Sequence, residues 1–250
     1  MRDRAWLGRL LIVTGNRVWI ENSRFDFGHP LITNGLRCRA LLGRYERSER
    51  ELLRRYLHPN YPVVELGGGL GVIACLTNRV LSRPENHIVV EANSALIPVV
   101  ERHRAWNGCD FTVVNAAVDY SGRPHATLHV EDSFISGRLG SGEGIRVPAL
   151  TLSQLLEEYP FPACTLVCDI EGAETALVRF EGHVLASHVV SFIVETHPKF
   201  TPAAEIRVMV DALESLGFSQ VAAVRKVRVF ENRRLRAEPG APSRVPPPNS

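Results

Sequence analysis

Short apolar runs alternate with amphipathic stretches along most of the chain. VVEL (63–66) is too short for a helix and reads as a buried strand. A glycine loop and a helix over 70–82 follow it. HIVVE (87–91) predicts a second strand, 94–107 a helix bent at Pro98, and FTVVNAAV (111–118) a third strand. CTLVCDI (164–170) predicts a fourth, with a helix over 173–181 behind it. VVSFIVE (189–195) predicts a fifth, then a helix over 203–216, and 218–224 with 226–231 predict a closing hairpin. Strands that alternate with helices imply βαβ crossovers and a mainly parallel sheet. Right-handed crossovers then predict an α/β, Rossmann-like, doubly wound fold, with seven strands, a C-terminal antiparallel hairpin and an N-terminal extension.

The flanks read differently. RVWIENSRFDF (17–27) predicts short strands, LRCRALLGRY (36–45) a short helix, and SERELLRRYL an amphipathic helix that stops before the HPNYP turn. Residues 1–60 are thus an extension with a lead helix, ahead of a main domain over 61–235. Residues 119–150 interrupt the alternation. HATLHVE predicts an edge strand and SGRLGSGEG a mobile loop, at a level where a substrate lid would sit. The segment 236–250 ends on four prolines in ten residues and predicts a disordered tail.

Composition adds bounds. The chain has 250 residues, 45% hydrophobic and 22% charged, which suits one soluble domain. The net charge of +2 names no partner, and the 12 arginines against 6 acids in residues 1–60 read as a solvated face, so no nucleic acid is expected. Five cysteines without C-x-x-C spacing read as buried thiols in a reducing compartment. No run approaches the roughly 18 apolar residues of a membrane span. LLIV (10–13) is too short for a signal peptide, so a cytoplasmic protein without membrane contact is expected.

Four segments carry candidate chemistry. VVELGGGLG places Glu65, Gly67, Gly69 and Gly71 in an E-x-G-x-G-x-G pattern between a strand and a helix. Glycines there permit a tight turn and close ligand approach. The dinucleotide pattern G-x-G-x-x-G fails, because Val72 holds its third glycine position. Glu91 ends the next strand, where a carboxylate can accept from both ribose hydroxyls of an adenosine ligand, and Asn93 follows as a helix N-cap. Ala117, late in the third strand, completes the expected cofactor set. CDIEGAE brings Asp169, Glu171 and Glu174 to the end of the fourth strand; Glu174 reads mainly as compensation of the helix dipole. ETHP brings Glu195 and His197 to the end of the fifth, beside Asp169 if the two strands are neighbours.

These motifs, in this order, resemble the FkbM-type methyltransferases. That family shows a similar first glycine motif and acid-ended second strand. It then has a segment like VPALTLSQLL, a K-I-D-x-E-G-A-E motif matched by VCDIEGAE, and an I-x-E-x-H matched by IVETH (193–197). Cys168 stands where the family usually has lysine. The resemblance covers about residues 45–200. It implies S-adenosylmethionine (SAM) as methyl donor and usually a hydroxyl on a sugar or natural-product scaffold as acceptor. A base helps to deprotonate such a hydroxyl. His197 and Asp169 are the expected catalytic pair, with Glu171 or Glu195 orienting them. Holding a divalent ion on Asp169, Glu171 and Glu195 is the less favoured alternative. N-methylation of an amide or amine, including a peptide, remains open, as does a silent SAM-binding module. Oligomer formation is left open.

Overall fold

A computed structural model describes residues 5–13, 15–30, 32–130, 137–140 and 143–236. The chain opens with α1 (Ala5–Val13), which the apolar pattern did not predict, and a hairpin of β1 (Arg17–Ile20) and β2 (Ser23–Asp26). Glu21 and Asn22 turn the hairpin with φ of 49° and 63°, the positive values a two-residue loop requires. Then come α2 (Asn34–Leu41) and α3 (Arg47–Tyr56). Val18, Ile20, Phe25 and Phe27 share one buried cluster with Leu70, Val72 and Val100, so the hairpin packs on the main α/β unit.

The main unit runs β3 (Val63–Leu66), α4 (Val72–Asn78), β4 (His87–Val90), α5 (Ile97–Trp106) and β5 (Thr112–Val114). The interruption holds β6 (Ala117–Val118), β7 (His125–Val130), β8 (Gly137–Leu139) and β9 (Ile145–Leu150). After α6 (Leu152–Glu158) come β10 (Cys164–Cys168), α7 (Glu174–His188), β11 (Val189–Glu195), α8 (Ala203–Ser215), β12 (Phe218–Val224), β13 (Val227–Asn232) and α9 (Arg233–Arg236). The central sheet has seven strands in the order β12-β13-β11-β10-β3-β4-β5. β13 is antiparallel to both its neighbours, and the pairs from β11 to β5 are parallel. This is the doubly wound, mainly parallel sheet with a C-terminal hairpin that the alternation predicted. Val64, Leu66, Leu166 and Phe192 bury one face against α6, α7 and α8. Val63, Val167 and Ile193 bury the other against Leu52 and Leu53 of α3 and Ile73 of α4.

Three expectations are corrected. The run 111–118 is two strands: the Asn115 amide donates to the carbonyls of Glu91 and Ala92, and the chain leaves the main sheet there. β7 is an inner strand of a second sheet, ordered β6-β9-β7-β8, rather than an edge. Part of the expected loop is β8, paired with β7; residues 131–136 and 141–142 lie outside the described residues. The expected tail lies outside them from residue 237. No described helix is long and apolar enough to cross a membrane.

Candidate functional site

A crevice of about 580 Å³, open mouth included, lies beyond the carboxyl ends of β3, β4 and β10. This is where open α/β sheets bind ligands. Gly67, Glu91, Asn93, Ala117, Asp169 and Glu171 line it, and Val90, Leu96, Leu128 and Leu139 form apolar wall. Leu128 and Leu139 come from the second sheet, so the interruption forms part of the crevice.

The glycines differ in what they do. Gly67 has φ +93°, and a Cβ there would stand 1.8 Å from the Asp169 carbonyl oxygen, so glycine lets the first loop touch the end of β10. Gly69 (φ +52°) faces open space, and its N–H donates to Glu91 Oε2 at 2.7 Å. Gly71 (φ +72°) leads into α4, with Val100 3.2 Å from the position of a Cβ. Glu91 Oε1 accepts from the Asn93 N–H at 2.6 Å. Burial pushes the Glu91 pKa up to about 7 against these two donors. Asn93 Oδ1 accepts from the Ala95 N–H at 3.1 Å, two residues on. Leu96 stands at the N-cap of α5, so Asn93 shapes the turn before the helix instead of capping it.

Glu65 does not line the crevice. It is 1% exposed and lies on the sheet face covered by α3 and α4. Neither carboxylate oxygen has a hydrogen-bond partner, and Oε2 lies 3.5 Å from His87 Nε2. Burial, with the Asp169 charge behind it, raises its pKa. The E-x-G-x-G-x-G spacing fixes its place along the strand but not the face it occupies.

At the other end of the crevice the ends of β10 and β11 meet, as neighbouring parallel strands must. His197 is 5% exposed. Its Nδ1 lies 2.9 Å from Glu174 Oε1, and its Nε2 faces Asp169 Oδ1 at 3.2 Å, Glu171 Oε2 at 3.4 Å and Glu195 Oε1 at 3.6 Å. Burial alone would lower the imidazole pKa. Hydrogen bonds to Asp169 and Glu174, and their charges, outweigh it and raise the value to about 10. The raised value favours the imidazolium at neutral pH, a form that donates from both ring nitrogens.

Glu174 is more than a helix-dipole acid. It is 2% exposed, and the same Oε1 accepts from the N–H groups of Ile170 and Gly172 at 3.2 and 3.1 Å. Between them, Glu171 is held at φ 52°, a left-handed conformation unfavourable for a residue with a side chain. Three further groups were not anticipated. Glu46 and Glu49 of the α3 turn stand over the same strand ends, their pKa values raised by burial and by neighbours including Asp169 and Glu195. Lys226, in the β12–β13 turn, donates to Glu195 at 2.7 Å. Cys168 points into the core, 1% exposed.

No protein-family model matches the chain, and no curated protein matches it. Among solved structures it is similar to a protein of the NADB-Rossmann superfamily from Streptococcus agalactiae, at 12% identity and TM-score 0.43, covering 73% of this chain and 67% of that one. It is similar to precorrin-6y C5,15-methyltransferase from Geobacter metallireducens, at 11% identity and TM-score 0.44, covering 82% and 91%. It is also similar to the tRNA (uracil-54, C5)-methyltransferase of Pyrococcus abyssi in complex with S-adenosyl-L-homocysteine, at 11% identity and TM-score 0.46, covering 86% and 43%. Likenesses at this level assign no activity to the chain.

Proposed function

We propose that this chain is a SAM-dependent methyltransferase of the FkbM type that methylates a hydroxyl on a small sugar or natural-product acceptor. The observation that carries the reading is the single crevice that joins Glu91 at one end to Asp169 and Glu171 at the other. The residues fit such a donor. The Glu91 carboxylate accepts one backbone N–H on each oxygen, which leaves lone pairs for two ribose hydroxyls. Leu96, Ala117 and Leu128 offer an apolar wall for a base ring. Asp169 and Glu171 line this end of the crevice with carboxylates, which favour a cationic ligand end. A nicotinamide dinucleotide fits less well, because Val72 is 1% exposed where a third glycine would be needed for close helix packing.

When bound, SAM supplies an electrophilic methyl group. The chain's own residues do the rest. Glu91 fixes the nucleoside, and the strand ends hold the acceptor in line with the methyl, which supplies much of the acceleration. His197, charged and clamped by Glu174, holds Asp169 and Glu171 in place. The proton of the acceptor hydroxyl passes to a carboxylate at these strand ends.

Calorimetry on the purified protein is expected to show binding of SAM and S-adenosylhomocysteine, and no binding of NADH. Glu91→Ala is expected to weaken S-adenosylhomocysteine by about 1–3 kcal/mol, through the loss of its acceptor oxygens. Binding of NADH with SAM silent would overturn the proposal. A tritiated-methyl screen over sugars, polyketides and peptides then identifies the acceptor.

A further inference from the structure

We propose that His197, Asp169 and Glu171 hold one divalent transition-metal cation, of the Mn²⁺ type, at the acceptor end of the crevice. The ligand atoms are His197 Nε2, Asp169 Oδ1 and Glu171 Oε2, all within 4.8 Å of one another. The Nε2 separations of 3.2 and 3.4 Å are close to those of cis ligands around an octahedral ion with bonds of about 2.1 Å, which lie about 3 Å apart. One imidazole with two carboxylates suits Mn²⁺ or Fe²⁺ better than Ca²⁺, which prefers oxygen alone.

Two observations beyond the cluster point to a ligand. Glu174 holds Nδ1 at 2.9 Å and turns Nε2 toward the carboxylates, the carboxylate–histidine arrangement that orients metal-bound imidazoles. Glu65, 1% exposed and with neither oxygen hydrogen-bonded, pairs with Val167 in register, two residues before Asp169, so it lies on the same sheet face as Asp169 and one step below it. Acidic groups outnumber cationic ones at this end of the crevice. Glu46, Glu49 and Glu195 crowd it, and Lys226 is paired with Glu195. The cation takes the place of the proton on Nε2, which leaves to the buffer. Glu195, 3.6 Å from Nε2, stands outside the ligand set as a neighbouring acid. The use of the ion, to polarise the acceptor oxygen, rests on the methyltransferase reading; the site itself does not.

The test uses the full chain, stripped with chelator, dialysed and titrated with Mn²⁺ while free Mn²⁺ is followed by its electron paramagnetic resonance signal. One equivalent is expected to bind. Asp169→Asn, His197→Gln and Glu171→Gln are each expected to weaken binding at least tenfold, and Glu174→Gln by about 10–100-fold, the usual effect of losing such an orienting partner. Circular dichroism checks that each variant folds. Glu171, on a loop and 17% exposed, is the variant least tied to the core. Absence of Mn²⁺ uptake by the wild type, or uptake that folded Glu171→Gln matches, would overturn the site. S-adenosylhomocysteine calorimetry on the stripped protein separates the two proposals. Its binding without Mn²⁺ uptake removes the metal and keeps the methyltransferase. Mn²⁺ uptake lost in the variants, with S-adenosylhomocysteine silent, does the reverse.

Discussion

Gly67 and Gly69 belong to one loop and have different physical reasons to be glycine. A methyl group at residue 67 would collide with the Asp169 carbonyl, so Gly67→Ala forces β3 and β10 apart at the crevice. A methyl group at residue 69 meets open space, and only the left-handed φ of +52° resists it. Gly69→Ala is therefore expected to cost about 1–2 kcal/mol, and Gly67→Ala markedly more. Urea unfolding of the two variants checks this, and a Gly69→Ala at least as damaging as Gly67→Ala would contradict it. The glycine spacing in the sequence locates this loop, but only the packing distinguishes a glycine that touches β10 from one that aims its N–H at Glu91. The same limit applies to the acids. Glu91 sits at a strand end, where position alone brings it to the ligand crevice. Glu65 and Asp169 lie one step apart on a shared face, and the neighbouring strand that reveals this is about 100 positions away in the chain. The charge state of His197 was illegible for a related reason: Asp169 and Glu174, from the preceding strand end and helix, set it.

Among the elements, α3 shows how far a periodic pattern reaches. Its position and amphipathic character follow from SERELLRRYL, and Leu52 and Leu53 bury as the period requires. The pattern assigns charged residues to solvent, yet Glu49 is 4% exposed because the end of the helix lies over Asp169 and Glu195. The start of α6 is the opposite case, with its local chemistry written in the chain. Thr151 and Gln154 form a reciprocal cap: Thr151 Oγ1 accepts from the Gln154 N–H at 3.2 Å, and Gln154 Oε1 accepts from the Thr151 N–H at 2.9 Å. Thr151→Ala is expected to lower stability by about 1 kcal/mol and to leave S-adenosylhomocysteine affinity unchanged, because α6 packs on the sheet face away from α3 and none of its residues lines the crevice. Denaturant melts and calorimetry on the same preparation check both halves. A cofactor affinity that falls with the cap would place α6 in the site.

At the scale of the whole molecule, the alternation of apolar runs carries the seven-stranded sheet, while the second sheet depends on Asn115 turning the chain out at Glu91, a contact between residues 24 positions apart. Buried titratable groups in this sheet make global stability depend on pH, and His87 gives the cleanest sign. It is fully buried on β4, with Asn78 Nδ2 3.4 Å from Nδ1 and Glu65 3.5 Å from Nε2. Burial drives its pKa down to about 3, against about 6.5 in an unfolded chain. Between those values the unfolded chain binds a proton that the folded chain refuses. The free energy of unfolding therefore falls as pH drops through that window, by up to about 1.4 kcal/mol per pH unit from this group. Above about pH 6.5 the group contributes no slope. Glu91, raised to about 7, and Glu46, raised to about 8, act with the opposite sign: the folded chain holds their protons, and stability is lost as pH rises from about 4.5 toward those values. The total curve mixes both, so the informative quantity is a difference. His87→Phe keeps the ring beside Phe111, whose centroid lies 5.4 Å away, and cannot take a proton. Urea unfolding from pH 8 to pH 4.5 is expected to show a constant gap between wild type and variant at the alkaline end, then a progressive shift in favour of the variant below about pH 6.5. A gap that stays constant to pH 4.5 would show that the folded protein admits the proton, and that His87 is not held neutral by the sheet around it.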